Sequence, residues 1–205
     1  MPLHKHIVPN EAMHIWIWET TESNEALLAQ ACSLGWRLEL TDIASEQRCR
    51  EIILTHLLMS LAGISAIYHE EDGRPYCREY ASISLSHSKQ WVVLATHQSS
   101  PIGVDIECGT DKVLRVASRF MSERELDYLP KNLPTMLIAW CAKEAAYKII
   151  GQQATDFRAT LCIHPFSAEE NGVVSVEHVP TAQQLTLHYQ AYLSHYMLVY
   201  GIKEG

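Results

Sequence analysis

Four side chains in this sequence are the best suited to chemistry: Asp105, Glu107, Glu144 and Lys148. Ile102-Gly-Val-Asp-Ile-Glu107 alternates apolar and polar residues. In a strand, Ile102, Val104 and Ile106 therefore face one way, and Asp105 and Glu107 face the other. Two neighbouring carboxylates repel each other and are best tolerated around a hard cation. Magnesium fits, because it takes few protein carboxylates together with substrate phosphates. A third carboxylate, Glu144, would complete such a set. An exposed strand face carries an Asp-x-Glu equally well without any ion.

Glu144 and Lys148 lie in Trp140-Cys-Ala-Lys-Glu-Ala-Ala-Tyr-Lys148, the middle of a helix expected to open near Pro134 and stop at Gly151. Leu137, Ile138, Cys141, Ala145 and Ile149 make most of this helix apolar. Lys143, Glu144 and Lys148 are therefore costly unless something nearby uses them. Glu144 and Lys148 are four residues apart and share a face. A helix-stabilising ion pair accounts for them as well as a catalytic role does.

Other elements must position these residues. His14–Trp18 alternates like a strand, and residues 23–36 are expected to be helical. A stronger helix has Ser45 as N-cap, a stripe of Ile53, Leu54, Leu57, Leu58 and Leu61, and Gly63 as its stop. Arg48 and Arg50 lie in its first turns, either as solvated charges or turned toward a neighbour. Glu71-Asp-Gly-Arg-Pro75 is a turn presenting Arg74 ahead of the rigid Pro75. Ser82–Ser88 reads as a strand with Ile83 and Leu85 on the buried face and Ser84 and Ser86 on the other. Its end, Ser86-His-Ser88, combines hydroxyls, an imidazole and backbone N–H groups. That set suits a phosphate better than a proton relay, since no carboxylate is placed locally to orient His87. An ordinary polar strand end accounts for it equally. Trp91–Ala95 is a partner strand, and Ser99-Ser-Pro101 is the best boundary between two parts of the chain.

After Glu107, residues 111–120 read as a helix with Lys112, Arg115 and Arg119 on one basic stripe. The stripe is either a solvated face or a landing site for an acidic partner. Ser122-Glu-Arg-Glu125 has the form of a capping box. Strands are expected over Gly172–Val179, Leu185–Leu193 and His195–Ile202, with no chemistry in them.

The chain has 205 residues, long enough for a substantial core, with 47% apolar and 20% charged residues. A net charge of -8 argues against general nucleic-acid binding. The six cysteines are scattered without a Cys-x-x-Cys pair, as expected of free thiols in a reducing compartment. The eleven histidines show no zinc spacing. Neither a signal peptide nor a membrane span is apparent, so a cytoplasmic protein is expected.

Gly103-Val-Asp-Ile-Glu107, then Arg119-Phe-Met-Ser-x-x-Glu125, then Trp140-x-x-Lys-Glu-Ala-x-x-Lys148 resembles the signature of the 4'-phosphopantetheinyl transferases. The Arg74-Pro75 turn and the Ser-His-Ser strand end upstream resemble the surfactin-type (Sfp-like) branch. The resemblance runs from about residue 45 to residue 151. It implies an α+β fold of two similar α/β halves in one chain, residues 1–100 and 101–205, each a small antiparallel sheet packed with helices. It also implies a monomer that moves the phosphopantetheine arm of coenzyme A onto a serine of an acidic acyl or peptidyl carrier protein, as in fatty acid biosynthesis. Adenosine 3',5'-bisphosphate would leave.

By the same resemblance, Asp105, Glu107 and Glu144 would hold Mg2+. Glu144 would also act as general base, and Lys148 would neutralise phosphate charge. Coenzyme A would be bound by Ser86 and His87 at its phosphates, Arg50 at the 3'-phosphate, and Arg74 and Pro75 at the adenine. Arg48 is an alternative to Arg50. His56 stands near the place of a second arginine common in relatives, and Arg74 stands where lysine is commoner. Two other classes remain open: a non-catalytic coenzyme A-binding module and a different magnesium-dependent phosphate hydrolase. The latter lacks the usual glycine-rich phosphate loop.

Overall fold

The computed structural model describes residues 3–151, 156–192 and 195–203. It is a mixed α+β structure of antiparallel sheets and helices. Strands β1 (Leu3–Asn10), β2 (Met13–Glu19), β5 (Ser82–Ser88) and β6 (Trp91–His97) form one sheet in the order β1-β2-β6-β5. Strands β7 (Ile102–Cys108), β8 (Leu161–Ile163), β9 (Asn171–His178), β10 (Gln183–Tyr192) and β11 (Tyr196–Ile202) form a second, in the order β7-β11-β10-β9-β8. A short hairpin of β3 (Tyr68–His69) and β4 (Pro75–Tyr76) stands apart from both.

Helices α1 (Asn24–Ser33) and α2 (Glu46–Ala62) cover the outer face of the first sheet. Leu27, Ile53, Leu54 and Leu57 there meet Trp16, Trp18, Ile83 and Leu94. Helices α3 (Asp111–Phe120), α4 (Glu123–Tyr128), α5 (Leu133–Ile150) and α6 (Phe157–Thr160) belong with the second sheet. Helix α5 buries Ile138, Cys141, Ala142 and Ala145 against Val174, Leu187 and Val199. Between the sheets lies a third apolar layer, with Ile15, Ile17 and Val93 from one side and Ile102, Val104, Ile106 and Leu198 from the other. Strand β6 is consequently buried along its whole length. No helix among the described residues is long and apolar enough to cross a membrane.

The helix ends follow sequence chemistry closely. Ser45 caps α2, and Gly63 ends it in the left-handed conformation at φ 71. Asn132 caps α5, Pro134 sits in its first turn, and Gly151 (φ 83) stops it. The three late strands form within two residues of the expected limits, although Leu193 lies outside the described residues. Strand β1 escaped notice because it is an edge strand with mostly exposed side chains, which leaves no apolar alternation to read.

Strand β5 departs from expectation. Ser84, Ser86 and Ser88 are buried, whereas Leu85 is only half-buried. The serine face turns toward the free edge of β7. Backbone N–H groups of Ile102, Val104, Ile106 and Cys108 donate in turn to the hydroxyls of Ser82, Ser84, Ser86 and Ser88, at 3.0–3.2 Å. Edge donors that would otherwise need a strand partner are thereby satisfied by side chains.

Lys143 explains one of the costly charges. It is fully buried, and its ammonium reaches Glu125 (2.8 Å) and the carbonyls of Phe120, Phe157 and Leu161. Glu125 is equally buried and completes the capping box of α4. It also accepts the Ile163 N–H at 2.8 Å. The pair ties α3, α4, α6 and β8 to α5. Lys143→Met should lower unfolding free energy by about 3–5 kcal/mol, because it strands a buried carboxylate. Adding Glu125→Gln, which keeps the capping oxygen without the charge, should recover part of that loss in urea titrations.

Candidate active site

Strand β7 and helix α5 touch at Gly103. A Cβ there would lie 2.1 Å from the Ala145 carbonyl oxygen, so only glycine permits this approach. Because side chains alternate along β7, Asp105 and Glu107 follow Gly103 on the side facing α5. Glu144 and Lys148 project from α5 toward the same place. Lys148 does not pair with Glu144. Its ammonium donates to the Val104 carbonyl (2.7 Å) and to Asp105 Oδ1 (2.9 Å).

Asp105 is only 5% exposed. Its Oδ1 also accepts the Ser86 hydroxyl at 2.8 Å, while its buried Oδ2 has no hydrogen-bond partner. The Cys141 thiol reaches the Met197 carbonyl at 3.8 Å and also lies against the Asp105 carboxylate; burial first, and then the Asp105 charge, push that thiol well above the usual range. Glu107 accepts the Ser88 hydroxyl at Oε2, 2.9 Å. Burial raises the Glu107 carboxyl, and the Asp105 charge raises it further. Glu144 is pushed up to about 7, first by burial and then by Asp105, with Lys148 opposing and Glu107 adding a smaller push. Three carboxylates thus feel one another's charge.

Magnesium can be tested against this arrangement. Among the described residues, no three His, Cys, Asp or Glu side chains are grouped as a ready coordination cluster. Lys148 supplies the positive charge next to Asp105. The donor chemistry nevertheless fits a hard cation: the oxygens are carboxylate, they repel one another, and one of them is buried without a partner.

Two cavities flank this acidic centre. One, about 750 Å³, lies between α2, the β3–β4 hairpin, β5 and the end of α5. Arg48, His56, Arg74, Pro75, His87 and Lys148 all border it. The other, about 650 Å³, has Glu107 and Glu144 in its wall beside Val113, Phe120, Leu137 and Trp140, with Lys112 and Arg119 also lining it.

One residue sits elsewhere than expected. Arg50 does not border the first cavity; its Nε donates to Asn24 Oδ1 of α1 at 2.9 Å. Residues two apart on a helix point to nearly opposite sides, so the cavity takes Arg48 with Glu51, Ile52 and Thr55. Ser86 lines the first cavity beside His87, with its hydroxyl held by Asp105 and the Ile106 N–H. Glu51 was missed. Its carboxylate bridges Arg48 (3.1 Å) and His87 Nε2 (3.2 Å), and its only sequence signal was the i, i+3 spacing from Arg48. Arg74 pairs with Asp72 at 2.6 Å and packs close to Gly151. Lys112, Arg115 and Arg119 are exposed along α3.

The acidic strand, α3, α4 and α5 all fall within residues 101–198, which match a family model. That family is the 4'-phosphopantetheinyl transferase superfamily. The chain is also 31% identical to a 4'-phosphopantetheinyl transferase of Bacillus subtilis over 117 residues, 53% of this chain and 50% of the relative. A 4'-phosphopantetheinyl transferase of Bacillus pumilus is 30% identical over 113 residues, 50% of this chain and 48% of its own length. One from Aneurinibacillus migulanus is 30% identical over 87 residues, 40% and 36% respectively. The chain thus spans about half or less of the length of each 4'-phosphopantetheinyl transferase it matches.

Raising a carboxyl pKa on folding means that the native state holds its proton more tightly than the unfolded chain. The stability tied to Glu144 is therefore full below about 4.5 and is lost as pH rises to about 7. Metal-free wild type should lose on the order of 2 kcal/mol more between roughly pH 5 and pH 8 than Glu144→Gln does, measured by chemical denaturation.

Proposed function

We infer that this protein transfers the 4'-phosphopantetheine part of coenzyme A to a serine hydroxyl of an apo acyl or peptidyl carrier protein. The observation that supports this reading is an acidic centre between two cavities: Lys148, paired with Asp105, borders the one that also takes Arg48, Arg74 and His87, while Glu107 and Glu144 line the other, beside Lys112 and Arg119. The first cavity suits a nucleotide carrying several phosphates. Arg48 and His87 would hold phosphate oxygens, with Glu51 fixing both, and Arg74 and Pro75 would border the base. Ser86 also borders this cavity and would lie beside the phosphates, while its hydroxyl proton is directed to Asp105. In this division, residues 1–100 supply most coenzyme A contacts, and residues 101–205 the acidic centre and the carrier surface.

In the reaction, the carrier serine oxygen forms a bond to phosphorus and the anhydride bond to adenosine 3',5'-bisphosphate breaks. Glu144 takes the serine proton, directly or through water; a carboxyl raised to about 7 is a competent base near neutrality. Lys148 faces the cavity and neutralises charge developing on the phosphate oxygens. Asp105, Glu107 and Glu144 would hold magnesium, which when bound polarises the pyrophosphate and steadies the leaving group. The exposed Lys112, Arg115 and Arg119 would meet the acidic surface of the carrier.

Mass spectrometry of an apo carrier incubated with the protein, coenzyme A and magnesium tests this directly. A gain of one phosphopantetheine is expected. Coenzyme A cleaved beside an unchanged carrier would instead mark a hydrolase, and coenzyme A bound intact would mark a binding module. Glu144→Gln and Asp105→Asn should each lower transfer by about 100-fold or more while circular dichroism stays native. Arg115→Glu or Arg119→Glu should raise the carrier KM and leave the coenzyme A KM in place; equal KM values for the wild type and both variants would reduce the stripe to a solvated face.

A further inference from the structure

The serine ladder between the sheets has two kinds of rung. Ser82 and Ser84 accept from the backbone of β7, at Ile102 and Val104. Ser86 and Ser88 accept from Ile106 and Cys108 and also donate, Ser86 to Asp105 Oδ1 (2.8 Å) and Ser88 to Glu107 Oε2 (2.9 Å). Each of these hydroxyls is thus oriented by a backbone N–H and aims its own proton at a carboxylate. The consequence is plainest at Asp105. Lys148 and Ser86 both engage Oδ1, and Oδ2 remains buried with no nitrogen or oxygen donor, the Cys141 thiol being the other group against this carboxylate.

We propose that Ser86 and Ser88 are positioning residues, which lock Asp105 and Glu107 so that one oxygen of each faces the ladder and the other is presented to a divalent cation. This rests on the metal assignment made above. The hydroxyls need not touch coenzyme A or the cation. They act by restricting carboxylate torsions and by lowering the cost of holding two like charges on one buried strand face. Two serines two residues apart match two carboxylates two residues apart, because both strands share the same side-chain period. The other two rungs serve the joint alone.

The test is Mn2+ binding, read from the EPR signal of free Mn2+ with coenzyme A present and no carrier, so that no turnover enters the measurement. Ser86→Ala and Ser88→Ala should each weaken Mn2+ by about ten-fold or more. Ser84→Ala removes a rung without touching a carboxylate and should leave Mn2+ affinity at the wild-type value, whatever it does to the melting temperature. Ser86→Thr keeps the hydroxyl and should retain most of the affinity. Should Ser86→Ala fail to fold, Ser88→Ala carries the same test on Glu107. Equal weakening by Ser84→Ala and Ser86→Ala would overturn the proposal, since the ladder would then be only structural. Wild-type affinity in both Ser86→Ala and Ser88→Ala would also overturn it while leaving the metal assignment intact. A wild-type protein that takes up no Mn2+ would overturn the metal assignment, and this proposal with it.

Discussion

The structure depends on how β5 and β7 are joined. Each is the edge of its own sheet, and an edge strand leaves a row of backbone donors without partners. Four serine hydroxyls meet four alternate N–H groups of β7, so the two sheets are coupled by side chains instead of a shared backbone ladder. This works only because serine places an oxygen one bond beyond Cβ and recurs with the two-residue period of a strand. The apolar layer of Ile15, Ile17, Val93, Val104 and Ile106 packs between the same two sheets, so polar registry and apolar burial act together.

The charged groups on α5 divide by what surrounds them. Lys143 is enclosed by carbonyls and by Glu125, a closed network with nothing left to offer a substrate. One residue later on the same helix, Glu144 opens onto the second cavity, and burial and Asp105 hold its proton on to about 7. Lys148 bridges the remaining gap by reaching across to Asp105 and the Val104 carbonyl. Neighbouring charges on one helix thus have opposite physical character. The first stabilises the packing of four elements around α5. The others belong to the acidic centre, where Lys148 offsets only part of the repulsion among Asp105, Glu107 and Glu144.

Much of the fold was legible because its signals are local. Ser45, Gly63, Ser122, Pro134 and Gly151 mark helix ends through caps and backbone preferences that need no tertiary information. The alternation of Ile102, Val104 and Ile106 with Asp105 and Glu107 placed the carboxylates on one face, and β7 keeps that division. Strand β1 and the buried serine face of β5 were not legible. An edge strand lacks the apolar alternation, and a polar strand face is ordinarily the exposed one.

Residue types and spacing alone determined which side chains could form an acidic centre, where the helices begin and end, and that Glu144 and Lys148 lie on one face. Tertiary structure decided the partners. It turned Arg48 rather than Arg50 toward the cavity, because α1 takes the opposite side of α2. It gave Lys148 to Asp105 instead of Glu144, and it turned the Ser86 hydroxyl into the joint between sheets. The physical reason is common to all three. Periodicity assigns a side chain to a face of its own element, but what covers that face is set by packing between segments distant in sequence.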